Sequence, residues 1–234
     1  MPRLVLISDT HNRHDFKIPD GRGTDILVHA GDLTMVGNVG EVAAVANWLK
    51  GVRVDRDYKA VVVIPGNHDW LAEKDPAMMR VLMEEAGCIY LDHKSAVVEG
   101  LRFFGSGYTP EFYNWALNVP RGPKLAKLWS QIPDDTQVLV THGPPMGRLD
   151  ACKRSDGDSA YGEYGLEQMR YKVEHVGCAD LRDRIKDLKD LKLHVFGHIH
   201  RPGMEKGADG ITYVNACICS ERYRADHAPQ VVEL

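Results

Sequence analysis

The chain has 234 residues, of which 44% are hydrophobic and 26% are charged, and its formal net charge at pH 7 is −4. This composition excludes general disorder, and we expect one domain over residues 1–234 with a sizeable core. The negative charge disfavours a nucleic-acid partner, since proteins that hold phosphate backbones usually present a basic face.

The apolar runs and the cysteines lead us to expect a cytoplasmic protein without a membrane partner. The longest apolar runs, residues 4–7 and 61–65, are far shorter than the roughly 20 residues of a membrane-spanning helix. A strand-like run begins near the N-terminus, where a signal peptide is therefore not expected. The five cysteines lack a zinc-finger spacing, and we expect all of them to be reduced thiols.

Five short apolar runs are predicted to be strands that are buried on both faces. They cover residues 3–8, 26–29, 60–64, 138–141 and 193–196. Helical patterns lie at 40–50, 75–86, 123–131 and 179–188, and Asp75 is the expected N-cap of the second, with Pro76 at its first position. Strands that alternate with helices predict an α/β fold.

The later segments 96–104, 211–217 and 230–234 predict a second, more antiparallel sheet. The stretch 153–165 is polar, contains glycines and lacks apolar periodicity, so it is predicted to be a long loop.

Polar side chains follow each of the five predicted strands. They are Asp9, His11, Asp32, Asn67, His68, His142, His198 and His200. Because the carboxyl ends of strands in an open α/β sheet meet at one crevice, we expect these side chains to lie together. Oxygen and imidazole ligands without cysteine favour Mn²⁺, Fe, Zn²⁺ or Ni²⁺ over a structural thiolate zinc site. Eight residues are too many for one ion, so two ions that share a carboxylate are the simpler arrangement.

The order of these motifs resembles that of the calcineurin-like metallophosphoesterases. The motifs are D-T-H at 9–11, G-D at 31–32, G-N-H-D at 66–69, T-H-G at 141–143 and G-H-I-H at 197–200. The stretches 8–12, 109–122, 141–145, 176–178, 193–196 and 214–216 look like those of the metallophosphoesterase-domain-containing animal proteins and their bacterial relatives. The resemblance implies a four-layer α/β/β/α sandwich that hydrolyses phosphodiesters, cyclic nucleotides among them.

The resemblance also implies a role for each motif residue. Asp9, His11 and His200 would hold one metal ion, Asn67, His142 and His198 would hold the second, and Asp32 would bridge both. A hydroxide between the ions would attack phosphorus, His68 would protonate the departing oxygen as the general acid, and Asp69 would orient His68. Mn²⁺ is the expected ion, with Fe, Zn²⁺ or Ni²⁺ as alternatives.

Animal members of this group often have glycine at the position of His198. This chain keeps the full set of ligands, so we expect an active dinuclear enzyme. A phosphomonoesterase or protein phosphatase on the same metals, and a non-catalytic binding scaffold of the same fold, are the alternatives. The expected partner is a small phosphodiester, and the candidate substrate-binding residues are Asn12, Arg13 and Trp115.

Overall fold

The structure is a computed structural model that describes residues 2–155 and 171–234. In chain order, the elements of the described residues are β1 (Arg3–Ile7), β2 (Ile26–Ala30), α1 (Val39–Asp55), β3 (Ala60–Ile64), α2 (Leu71–Lys74), α3 (Pro76–Glu85), β4 (Ile89–Tyr90), β5 (Lys94–Val98), β6 (Leu101–Ser106), β7 (Thr109–Pro110), β8 (Asn118–Val119), α4 (Pro123–Trp129), β9 (Val138–Thr141), β10 (Ala151–Ser155), β11 (Tyr171–His175), α5 (Ala179–Ile185), β12 (Leu193–Phe196), β13 (Gly203–Lys206), β14 (Thr212–Asn215) and β15 (Gln230–Glu233).

The first sheet has the strand order β15-β1-β2-β3-β4. Strands β1 to β4 are parallel, and the buried apolar residues of β1 to β3 are typical of parallel strands that are covered on both faces. The C-terminal strand β15 pairs antiparallel with β1, with Arg3 opposite Glu233. The expectation that segment 230–234 joins the second sheet is therefore wrong, because a short apolar run does not specify its partner.

The second sheet has the order β13-β14-β12-β9-β6-β5. Its central strands β6, β9, β12 and β14 are parallel, and the edge strands β5 and β13 are antiparallel to their neighbours. The predicted single strand at 96–104 is instead a hairpin. It turns at Glu99 and Gly100, whose φ angles of 47° and 79° are typical of a tight hairpin turn.

Three hydrophobic cores separate four layers, which confirms the predicted α/β/β/α sandwich. One core lies between the first sheet and helices α1 and α3, and includes Val45, Leu49 and Met79. A second core lies between the two sheets. The third joins the second sheet to α4 and α5, with Trp129 at its centre among the largest buried side chains.

The four predicted helices are present, with ends that differ by a few residues. The Asp75 side chain accepts a hydrogen bond from the Met78 amide at 3.0 Å, so it caps α3 as predicted, with Pro76 at the first helical position. Residues 153–155 belong to β10, which pairs with β11, so this part of the predicted loop is wrong and 156–165 lies outside the described residues. None of the helices in the described ranges is long and apolar enough to cross a membrane.

Candidate metal centre

The loops that follow β1, β2, β3, β9 and β12 bring the predicted ligands of both sheets to one place. Backbone bonds tie the loops together, since the Asp9 amide donates to the Gly31 carbonyl at 2.9 Å and the His11 amide to Asp32 at 3.1 Å. Both oxygens of Asp9 accept from the His198 amide at 3.0 Å, which joins the first sheet to the second.

One cluster of side chains contains Asp9, His11 and His200. His200 Nε2 lies 3.5 Å from Asp9 Oδ1, and His11 Nε2 lies 3.3 Å from His200 Nε2. Asp32 adjoins this cluster, since its Oδ2 is 3.8 Å from His11 Nε2.

A second cluster contains Asn67, His142 and His198. His142 Nε2 lies 2.9 Å from Asn67 Oδ1 and 3.3 Å from Asp32 Oδ1. The His142 and His198 rings meet edge to face, with 5.0 Å between centroids. Asp32 therefore presents one oxygen to each cluster.

The orientation of the imidazoles fits a bound cation. In three of the rings, Nδ1 lies within hydrogen-bond distance of a backbone carbonyl, which accepts only, so we assign the proton to Nδ1. The neutral ring then presents the Nε2 lone pair to the centre, a common arrangement of metal-binding histidines. These bonds join His11 to Thr34 (3.2 Å), His142 to Ala30 (3.0 Å) and His200 to Ser220 (2.9 Å).

The electrostatics of the centre lead to the same conclusion. Burial tends to raise the pKa of Asp9 and Asp32. His200 and His142 outweigh it for Asp9, and His142 and His11 outweigh it for Asp32, so both pKa values lie well below the usual range. Burial tends to lower the pKa of His142, but Asp32 outweighs it and raises the pKa to about 9. The two ionised carboxylates therefore draw positive charge, which protons or metal ions can supply.

The backbone is strained where it carries the candidate ligands. Asp9, His11, Asp32 and His198 have φ angles of 51°, 44°, 52° and 67°, a region that non-glycine residues seldom adopt. Such strain clusters at functional sites, where the surrounding structure maintains it. Close approach also requires glycine at Gly197, because a Cβ there would overlap the carboxylate of Asp9.

Asp69 supports the loops of the centre through its buried carboxylate. It accepts hydrogen bonds from the amides of Leu33 (3.1 Å), Thr34 (3.0 Å) and Gly66 (2.8 Å), and from the Thr34 hydroxyl at 2.6 Å. Burial, together with the charge of Asp32, raises the pKa of Asp69 to about 6 in spite of these bonds.

His68 is oriented by a backbone group rather than by the expected carboxylate. Its Nδ1 lies 2.7 Å from the Met35 carbonyl, and its amide donates to Asp32 Oδ1 at 2.8 Å. Asp69 was expected to orient His68, but its hydrogen bonds in the described residues go to residues 33–34 and 66 instead. Asp69 therefore holds residues 33–34, which directly precede the Met35 carbonyl that lies against His68.

The three predicted substrate residues surround the centre in different ways. Asn12 Oδ1 accepts from the Met35 amide at 2.9 Å and so supports the loop that holds His68. Arg13 is exposed, and its Nε donates to the Tyr223 carbonyl at 3.2 Å. Trp115 stacks on the His68 ring, with 4.2 Å between centroids and 29° between the planes.

Two residues of the centre were missed by the sequence reasoning. The Tyr223 ring packs against His11 and His200, with centroid distances of 4.8 and 5.2 Å. Cys217 Sγ lies within 4.8 Å of ligand atoms of Asp9 and His200. Burial raises the pKa of Cys217, whose thiol donates to the Cys219 carbonyl at 3.0 Å. No motif marks Tyr223, whereas Cys217 directly follows the 214–216 stretch.

Comparison with known proteins identifies the family of this chain. A sequence model of the calcineurin-like phosphoesterase family matches residues 2–202. Metallophosphoesterase domain-containing protein 1 of Homo sapiens is 34% identical to this chain, over 99% of the chain and 71% of the human protein. The chain belongs to the calcineurin-like phosphoesterase family. The Mus musculus protein of the same name gives the same identity and coverage.

Solved structures share the calcineurin-like phosphoesterase fold of this chain. One aligns with a TM-score of 0.62 and 16% identity over 99% of this chain and 98% of its own. The protein TT1561 of Thermus thermophilus aligns with a TM-score of 0.56 and 13% identity over 92% of this chain and 88% of its own. The family is dependent on two metal ions for phosphoester hydrolysis, and the described residues offer candidate ligand clusters for them.

Proposed function

We propose that this protein hydrolyses phosphodiesters of small molecules, cyclic nucleotides among them, at a dinuclear metal centre in the cytoplasm. The observation that carries the proposal is the position of Asp32, with one oxygen 3.8 Å from His11 and the other 3.3 Å from His142. A carboxylate between two sets of ligands is the arrangement that two-metal phosphoesterases use.

The proposed ligands follow the two clusters. Asp9, His11 and His200 would hold one ion, Asn67, His142 and His198 would hold the other, and Asp32 would contribute to both. Two divalent ions there, Mn²⁺ in our proposal, would neutralise the phosphoryl oxygens and activate the attacking water.

His68 supplies the proton that the leaving group needs. The reaction adds water to phosphorus and breaks one ester P–O bond, which yields a phosphomonoester and an alcohol. The Met35 carbonyl holds the Nδ1 proton of His68, so the group that donates to the departing oxygen is the Nε2–H of the imidazolium. Trp115 and His11, which pack against the ring at 4.2 and 4.6 Å, limit its rotation.

The preference for diesters rests on the resemblance to the metallophosphoesterase-domain-containing proteins and on charge. A monoester carries more negative charge than a diester and favours additional cationic groups. Arg13, the basic residue that follows the first motif, is exposed, and its Nε donates a hydrogen bond to the Tyr223 carbonyl. The cationic groups that a monoester favours are therefore not supplied by the first motif.

An activity panel tests the proposal. The metal-loaded protein is assayed with Mn²⁺, Fe²⁺, Zn²⁺ or Ni²⁺ on bis-p-nitrophenyl phosphate, p-nitrophenyl phosphate, and 2′,3′- and 3′,5′-cyclic nucleotides. We expect faster turnover of the diesters, with Mn²⁺ the best ion. Faster hydrolysis of p-nitrophenyl phosphate would favour the phosphomonoesterase, and no turnover with two bound ions would favour the binding scaffold.

A further inference from the structure

A cavity of about 630 Å³ adjoins the metal centre, and His198 and Ile199 form part of its wall. We call it the Phe112 cavity. Its volume lies in the range of small-molecule sites, which are mostly apolar with a few polar groups. The side chains of Phe112, Pro144, Met146 and Val176 supply much of its apolar lining.

Phe112 is held beside the centre by its own loop. Its carbonyl accepts from Asn118 Nδ2 at 2.9 Å, and Asn118 Oδ1 accepts from the Thr109 hydroxyl at 3.1 Å. The Phe112 and His198 rings meet at 74°, with 4.9 Å between centroids. A group esterified to a phosphate at the centre is thus within reach of the cavity, because His198 belongs to both.

Arg121 adds a guanidinium group to the wall of the cavity. Its guanidinium donates to the carbonyls of Val176 at 2.7 Å and Gly177 at 2.9 Å. These bonds fix the plane of the guanidinium and direct two of its donors to the protein. Its planar face, beside apolar walls, offers a surface on which an aromatic ring stacks.

We propose that the Phe112 cavity binds an uncharged aromatic group, a nucleobase or an aryl ring, of a phosphoester that is held at the metal centre. This inference rests on the proposed function, whose substrate it narrows to esters with an aromatic group. The cavity places that group against Phe112 rather than against Trp115, whose ring is stacked on His68.

Calorimetry on the full-length, Mn²⁺-loaded protein tests the inference with methylphosphonate, phenylphosphonate and adenosine 5′-monophosphate. We expect at least one of the aromatic ligands to bind about tenfold more tightly than methylphosphonate, the order expected for burying part of a ring. Phe112→Ala should reduce this preference to about twofold or less, and Val176→Trp, which fills the cavity, should do the same. Tyr113→Ala is the matched control, because Tyr113 is the next residue and is 90% exposed.

The outcomes separate the inference from the proposed function. A preference for phenylphosphonate alone identifies an aryl site, and one for the nucleotide alone identifies a nucleobase site. Equal affinities for all three ligands, or a preference that persists in both Phe112→Ala and Val176→Trp, would overturn the inference. Hydrolysis of bis-p-nitrophenyl phosphate by the same preparations reports on the proposed function independently, and circular dichroism shows whether each variant is folded.

Discussion

Asp32 faces both clusters of candidate ligands with its two carboxylate oxygens. We predict that the loaded wild type holds about two ions per chain and that Asp32→Ala loses both, because each cluster loses an oxygen. His142→Ala removes a ligand from one cluster and should lose one ion. Elemental analysis after metal loading and desalting measures the stoichiometry, and one ion per chain in the wild type would contradict the dinuclear centre.

His68 is placed to protonate a leaving group. We predict that His68→Ala keeps its metal ions but loses about 10²–10⁴-fold in turnover of a cyclic nucleotide, the range for general-acid catalysis. A p-nitrophenyl ester should be much less affected, because p-nitrophenolate leaves without a proton. The ratio of kcat/KM between the two substrates measures the effect, and equal losses would remove His68 from this role.

Trp115 restrains the ring of His68 by stacking. We predict that Trp115→Ala lowers kcat for a cyclic nucleotide by about tenfold with little change in metal content, because a misplaced general acid is a poorer donor. Trp115→Phe should restore most of the activity. The matched control is Trp48→Ala, because Trp48 stacks on His14 at 4.1 Å, within the layer of α1. A similar loss of kcat in both alanine variants would contradict a specific role for Trp115.

Helix α3 shows how far a local pattern predicts an element. The Asp75 cap and Pro76 are sequence signals that operate within one turn, so the start of the helix was predicted correctly. We predict that Asp75→Ala lowers the free energy of unfolding by about 1 kcal/mol, as other N-cap substitutions do, while Asp75→Asn changes it little. Urea denaturation of the metal-free protein measures both, and equal stability of the two variants would show that the cap contributes nothing.

Strand partners, in contrast, were not predictable from local patterns. Strand β15 pairs with β1 at the edge of the first sheet, although along the chain it follows the last strand of the second sheet. The sequence of the β5–β6 hairpin resembles one apolar strand, because the apolar residues Ala96, Val98 and Leu101 continue across the turn. Only the pairing between distant strands distinguishes these arrangements.

Outside the metal centre, the described residues include two fully buried histidines, His29 in β2 and His194 in β12, one in each sheet. Their Nε2 atoms lie 2.9 Å from the Thr10 hydroxyl and 2.8 Å from the Thr141 hydroxyl. Burial lowers the pKa of both imidazoles to about 3. The folded protein therefore keeps both rings neutral over most of the acidic range.

These two histidines make the stability of the protein dependent on pH. The unfolded chain binds protons below about pH 6.5, whereas the folded chain binds them on these rings only near pH 3, so stability falls as the pH decreases through this window. Each histidine contributes a slope of up to about 1.4 kcal/mol per pH unit. Urea denaturation between pH 7 and 4, with a chelator present, measures the free energy of unfolding. This free energy should decrease less steeply with falling pH for His194→Gln than for the wild type. Parallel pH profiles would contradict this prediction.

The sequence by itself determined the family, the α/β class and the residues that converge at the centre, because each candidate ligand lies directly after a buried strand. Tertiary structure decided how those residues are held. The Met35 carbonyl rather than Asp69 lies against His68, and Tyr223, which is near the C-terminus, packs against His11. The Phe112 cavity likewise forms where the loops that follow β7, β9, β11 and β12 meet. Such contacts join residues that are distant in sequence and follow no periodic pattern, so only the tertiary packing of the chain defines them.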